Sequence, residues 1–279
     1  MRNISLFLLA LLSFILLPHA NSFALNSIWE LQTVNADGLG THPLVGADPG
    51  PDPATSPNRA TIRGIALNAT EEYLDPSSSW QIYVQAEPPD QGGIALWAGT
   101  FYNPAWPRYP MTIQPGDRIE ANGFLMNARG KVNMNERHSA APGMQFTVSI
   151  IQAGVGMPEP IVISDLSTCN SFDVTRASGG ERYQAQWVRL ENIHIVSGTW
   201  GAGQTLVVAD GEGNMLDMLL SDRGDFSSHS APSGDFHATG IFDQEDLAAP
   251  FTDSYRLWVK RRADLQYLTT SVADWVHYQ

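Results

Sequence analysis

Apolar and polar residues alternate in short runs along most of this chain, the spacing of strands that bury one face. In residues 80–86 (WQIYVQA), Trp80, Ile82, Val84 and Ala86 fall on one side and Gln81, Tyr83 and Gln85 on the other. A turn at 87–93 follows, and Ile94, Leu96 and Ala98 run back. Before it, residues 59–69 alternate around Gly64, where a glycine in mid-strand lets the chain bend. After it, Pro115, Gly116 and Asp117 turn the chain into a strand over 117–128 with Gly123 inside, and residues 146–153 supply a fifth strand. The same succession returns with strands over 183–195, 203–209, 215–220, 234–242 and 255–265, and GDFHATGIF resembles GDRIEANGF with one residue deleted before the internal glycine. The pattern predicts an all-β protein of two tandem five-stranded barrels, at 59–155 and 160–267, with a join rich in Gly and Pro between them. Residues 25–58 are expected to hold an initial strand over 26–34 and a Pro/Gly-rich loop, which proline keeps out of regular structure. Residues 268–279 form a tail.

The first residues change the setting. Arg2 precedes an apolar run over 4–17 that is short for a bilayer span, and Ser22 and Ala24 stand at −3 and −1 of a cleavage point before Leu25. Residues 1–24 are therefore read as a signal peptide, and the protein as exported, to the periplasm or beyond the cell. Cys169 is the sole cysteine, so no internal disulfide supports the fold, and it is read as a small packed residue rather than a reactive thiol. The formal charge of −13 argues against unaided, nonspecific binding to nucleic acid, which depends on cations meeting phosphates.

Five short strands, a longer connection after the third and a Gly-Asp lead into a fourth strand with an internal glycine together describe an OB-fold. The arrangement also resembles the OB-fold domains of secreted bacterial proteins that often accompany extracellular nucleases and phosphoesterases. The residues carrying the resemblance are 62–67, 82–85 and 115–117 with Gly123, and their counterparts 188–195, 206–210 and 234–240. It implies a binding or accessory role, although the chain leaves no room for a nuclease domain of its own.

The residues most suited to a ligand are aromatic. Phe101, Tyr102, Trp106 and Tyr109 lie among prolines just after Trp97, and Tyr83 sits on the neighbouring strand. Flat rings stack on sugars and bases, so Tyr83, Trp97, Tyr102, Trp106 and Tyr109 are the candidate binding residues for a glycan, a nucleic acid or a protein partner. The competing reading makes these rings a plug for one end of the barrel. Asp210, Glu212 and Asn214 place oxygen ligands at alternate positions, like a fragment of a calcium loop, but without its closing bidentate acid. The same residues suit a hairpin turn, for which Asp-Gly is a favoured pair. No catalytic residues are assigned. His194, His229 and His237 lack metal-ligand spacing, no nucleophile elbow or phosphate loop is present, and Arg63, Arg118, Asp117 and Glu120 do not follow the order of a calcium nuclease. The expectation is an exported, non-catalytic binding protein; the alternatives are a metal-dependent nuclease or phosphodiesterase and a structural part of an envelope assembly.

Overall fold

The computed structural model describes residues 24–46, 59–70, 72–74, 79–99, 113–135 and 146–268. Residues 1–23 of the expected signal peptide, the aromatic segment 100–112 with Tyr102, Trp106 and Tyr109, and the tail from 269 lie outside the described residues.

The described chain is almost entirely β, in two sheets. Its one α-helix, α1 (Ile28–Leu31), replaces the expected initial strand. The reason lies 62 residues away. Asp90 accepts from the backbone N–H of Ile28 and from the Ser27 hydroxyl, each at 2.7 Å, and Ser27 in turn caps the Glu30 N–H. Ile28 and Leu31, three apart, then bury completely against the first core.

The first sheet contains β1 (Val45–Gly46), β2 (Ala60–Ala66), β3 (Ser79–Gln85), β4 (Gly93–Gly99), β5 (Arg118–Gly123), β6 (Leu125–Ala128), β7 (Lys131–Asn135) and β8 (Thr147–Gln152). Their order is β1-β6-β7-β4-β3-β2-β5-β8. The ladders make this a half-barrel. β5 and β6 are successive halves of one bent segment interrupted at Phe124; the first pairs with β2 and the second with β7. Alternation places Ile82, Val84, Ile94, Leu96, Val132 and Met134 inside, and each large apolar side chain buried this way contributes about 1.5–3 kcal/mol.

The strand expected to complete this set was 146–153. The structure gives that position to β7, which lies parallel to β4 with Leu96 opposite Met134. β8 instead lines the outer edge of β5, largely exposed, with Ile150 and Ile151 facing outward. The two segments have similar alternation, but β7 buries Val132 and Met134 fully, whereas β8 brings only the half-buried Val148 to the core, with Phe146 just before it.

The second sheet contains β9 (Ile161–Ile163), β10 (Trp187–Gly198), β11 (Thr205–Ala209), β12 (Met215–Leu220), β13 (Phe236–Gln244), β14 (Tyr255–Val259) and β15 (Leu265–Tyr267). Here the ring closes by ladders alone: β10, β11, β12, β14 and β13 pair in turn, and β13 returns to β10. β12 and β14 are parallel, as β4 and β7 are in the first sheet. The internal glycine of β13 is required by crowding, because a Cβ on Gly240 would stand 2.5 Å from the Trp258 carbonyl of the next strand. Phe226, on a 3-10 turn (Phe226–Ser228), fills one end of this barrel, and Trp200 meets it edge-on at 5.5 Å. Cys169 is wholly buried here, and burial pushes its thiol up to about 12, so it stays protonated. Among the described residues no helix is long and apolar enough to cross a membrane.

A third core seals the two sheets together. Leu67, Tyr73, Tyr83 and Ala95 from the first side meet Ala185, Trp187, Ile241 and Trp258 from the second. Tyr73 packs 4.4 Å from Trp258 and 5.9 Å from Tyr83, centroid to centroid. The approach is close enough that a Cβ on Gly93 would lie 2.1 Å from the Ala185 carbonyl.

Candidate functional site

Alternation decides which side chains leave a barrel, so it also decides what the seam is made of. On β3, β4 and β7 the inward set belongs to the core, and the outward set comprises Ser79, Gln81 and Tyr83; Ala95 and Trp97; and Lys131, Asn133 and Asn135. Pairing register aligns these into cross-strand rows. Gln81 stands opposite Trp97 and Trp97 opposite Asn135, giving an amide–indole–amide row; the next row runs Tyr83, Ala95, Asn133. The lower part of this face is covered by the second barrel. The upper part opens into a cavity of about 630 Å3, within the range of roughly 300–1,000 Å3 usual for small-ligand sites.

The opposite wall comes from the parallel pair of the second barrel. Tyr255, Leu257 and Val259 point into its core, so Arg256 and Trp258 point out, and on β12 Leu219 does the same. Each barrel thus presents the same face to its neighbour.

Charges concentrate at the base of the cavity. The Asp243 carboxylate is fully buried and accepts from Lys131 Nζ at 2.6 Å and from Arg256 at 3.0 Å. Lys131 also donates to the Gln244 carbonyl at 2.6 Å, and Glu245 accepts from Lys131 and Arg256, each at 3.2 Å, and from Arg129. Burial pushes the Asp243 carboxyl up, yet the two cations more than offset this and hold it below its ordinary value. Every cation here has an acid beside it. The Trp258 Nε1 and Arg256 Nε groups are buried without a hydrogen-bond partner. Burial, with Asp243 nearby, raises the Tyr83 hydroxyl well above its ordinary value and keeps it neutral.

Of the residues singled out from sequence, Trp97 lines this cavity, half-buried. Tyr83 does not: its side chain is fully buried in the seam, between Tyr73 and Trp258, so its ring packs barrel on barrel rather than on a ligand. Asp210 sits in the β11–β12 turn with both oxygens occupied. One accepts from the N–H groups of Glu212 and Asn214 at 3.1 and 2.9 Å, the other from Leu166 N–H at 2.9 Å and the Asn214 amide at 3.1 Å. Glu212 points into solvent. These three residues build a turn and tie it to the 3-10 segment (Leu166–Thr168), and no group of three or more His, Cys, Asp or Glu among the described residues is arranged to hold a metal ion.

Asp117 is similarly spent on structure, accepting from Gln114 N–H at 2.9 Å and Gly154 N–H at 2.8 Å. Arg63 pairs with Glu120 at 2.7 Å, and Arg118 forks onto Glu87 at 2.6 Å, so the arginines of the nuclease alternative are held in outward ion pairs, apart from the buried Asp117. His237 accepts from Asn192 N–H, while His194 lies 3.8 Å from Asp235.

Gln81, Asn133, Lys131, Arg256 and Trp258 were not singled out from sequence. The signal was present for some of them: KVNMN alternates, so once Val132 and Met134 are inward the lysine and both asparagines must face out. An outward tryptophan in YRLWV is a comparable flag.

No protein-family model matches the chain, and no curated protein matches it.

Proposed function

We propose that this chain is an exported, non-catalytic binding protein of two OB-type barrels, whose ligand lodges in the cleft between them. The support for OB-type barrels is connectivity. Written by order within each repeat, the second ring runs 1-2-3-5-4-1 with strands 3 and 5 parallel. The first follows the same order if β5 and β6 count as one bent fourth strand. Such barrels bind through the face of strands 2 and 3, here β3 and β4, the strands that carry Gln81 and Trp97. Export rests on the segment before Leu25, and mass measurement of the secreted protein should give an N-terminus at that residue.

The observation that carries the binding role is the cavity of about 630 Å3 between two rigidly packed barrels, lined by indole and carboxamide side chains. Carboxylates in hydrolases stand near one another with an open face; here Asp243, Asp210 and Asp117 are each saturated by donors. The test is a thermal-shift screen of the secreted chain against oligosaccharides, single-stranded oligonucleotides and peptides. A ligand at one hundred times its Kd stabilises the folded state by about 2.7 kcal/mol, a readable rise in melting temperature. No shift from any class would remove the reading. A protein partner has one observation in its favour, the uncharged strand β8, which exposes Ile150 and Ile151 at the edge of the first sheet.

A further inference from the structure

The chemistry of the cleft also says what kind of ligand it takes. Three cations line it, Arg129, Lys131 and Arg256, and each lies in contact with Asp243, Glu245 or both. Asp222, on the opposite wall, is the third carboxylate and brings the sum of charges to zero. A polyanion binds by placing its phosphates or carboxylates against cations with charge to spare, and this cleft offers none among the described residues. The chain as a whole, at −13, repels polyanions from a distance. What remains is a neutral surface with a fixed layout. An indole is flanked on both sides by carboxamides in one cross-strand row, a strand spacing of about 4.8 Å to each side. Tyr73 and Trp258, packed on each other in the seam, also border it.

Carboxamides both donate and accept, and so do sugar hydroxyls. An indole face takes the apolar C–H face of a pyranose ring and gives little to a free hydroxyl. Gln81, Asn133 and Asn135 are each more than nine-tenths buried, so their amides are held in place rather than waving in solvent. We infer that the cleft is a subsite for an uncharged oligosaccharide, with one sugar ring on Trp97 and its hydroxyls met by Gln81 and Asn135. This rests on the binding role proposed above and narrows it from three ligand classes to one.

The experiment uses the secreted chain on an array of neutral glucans, mannans and chitin oligomers, beside polyuronates and a thymidine oligonucleotide, followed by calorimetric titration of the strongest binders. At least one neutral oligosaccharide should bind tenfold or more tighter than any anionic probe. Trp97→Ala should weaken it tenfold or more, Gln81→Ala and Asn135→Ala three- to tenfold, and Trp97→Phe much less than Trp97→Ala. Unchanged melting temperatures show that these variants fold; should Trp97→Ala fail to fold, the Gln81, Asn135 and Trp97→Phe series carries the same comparison. A polyuronate or the oligonucleotide binding best, with loss in Trp97→Ala, would overturn the neutral-sugar assignment and leave the cleft as a binding site. Neutral-sugar binding indifferent to all of these changes would overturn the subsite. No binding from any of these probes would sink the sugar assignment, while a peptide hit in the thermal-shift screen would keep the binding role.

Discussion

The two barrels show the same face to each other but furnish it differently. In the first, the outward positions of β4 and β7 are Ala95, Trp97, Lys131, Asn133 and Asn135; in the second, those of β12 and β14 include Leu219, Arg256 and Trp258. Strand order and alternation fix where these side chains stand, and they are the same in both. The difference is in chemistry: the first wall supplies amides, the second more apolar cover, and Lys131 from one and Arg256 from the other share the acids that lock the walls together. A second contrast lies in closure. The second ring is closed by ladders throughout, while the first depends on the bend at Phe124; both sheets carry an extra strand at each edge. The half-barrel therefore draws more of its order from its neighbour, through the third core and the Asp243 cluster.

The sharpest way to break that dependence is Asp243→Ala. It leaves the buried Lys131 and Arg256 with Glu245 alone, at 3.2 Å, a loss of up to about 3–5 kcal/mol. Chemical denaturation should show the drop and separate into two transitions, the first sheet unfolding before the second. Adding Lys131→Met should recover part of it. A single transition at unchanged midpoint would mean the cluster does not join the barrels.

Glu181, beside the second barrel, gives a pH-dependent effect of similar size. It is 3% exposed, and burial raises its pKa to about 7, against the hydrogen bond it accepts from Tyr255 at 2.8 Å. The folded state thus favours the protonated acid. Its contribution is full below the ordinary glutamate range and is lost as pH rises through about 7. Glu181→Gln, which keeps an acceptor for Tyr255, should therefore stabilise the protein by on the order of 3 kcal/mol at pH 8.5 and little at pH 5. Equal effects at both pH values would contradict the assignment. The first barrel should show no comparable change.

Gly93→Ala sharpens the comparison at the seam itself. Its Cβ would meet the Ala185 carbonyl at 2.1 Å, so the barrels must shift apart at a cost of about 1–3 kcal/mol. The expected readouts are a lower denaturation midpoint and weaker ligand binding together. At the small end, Arg63→Ala removes an ion pair between side chains 41% and 34% exposed, and should change stability by no more than about 1 kcal/mol.

The second barrel was legible almost strand for strand, because its runs over 187–198, 205–209, 215–220, 236–244 and 255–259 alternate cleanly between obvious turns. The first was legible up to its fourth strand. There two segments, 131–135 and 147–152, carried similar alternation, and local pattern cannot say which one meets β4. Helix α1 was hidden for a related reason: Asp90, from a distant turn, completes the cap that Ser27 begins. The site was half legible. Trp97 stood out as an aromatic on a strand, but so did Tyr83, and only the packing of one barrel on the other separates a ring at the cavity from a ring sealed in the seam. Lys131 and Asp243 are 112 residues apart, and no local periodicity brings them together.

The central claim is that a ligand lies between the barrels against Trp97, and indole N–H resonances report it directly. In a 15N-labelled sample titrated with the strongest-binding oligosaccharide, the Trp97 and Trp258 peaks, assigned by substitution, should move in proportion to saturation. Trp80, inside the first core, and Trp200, at the end of the second barrel, should stay where they are. Movement confined to Trp200, or saturating binding that leaves the Trp97 peak still, would place the ligand elsewhere and contradict the account.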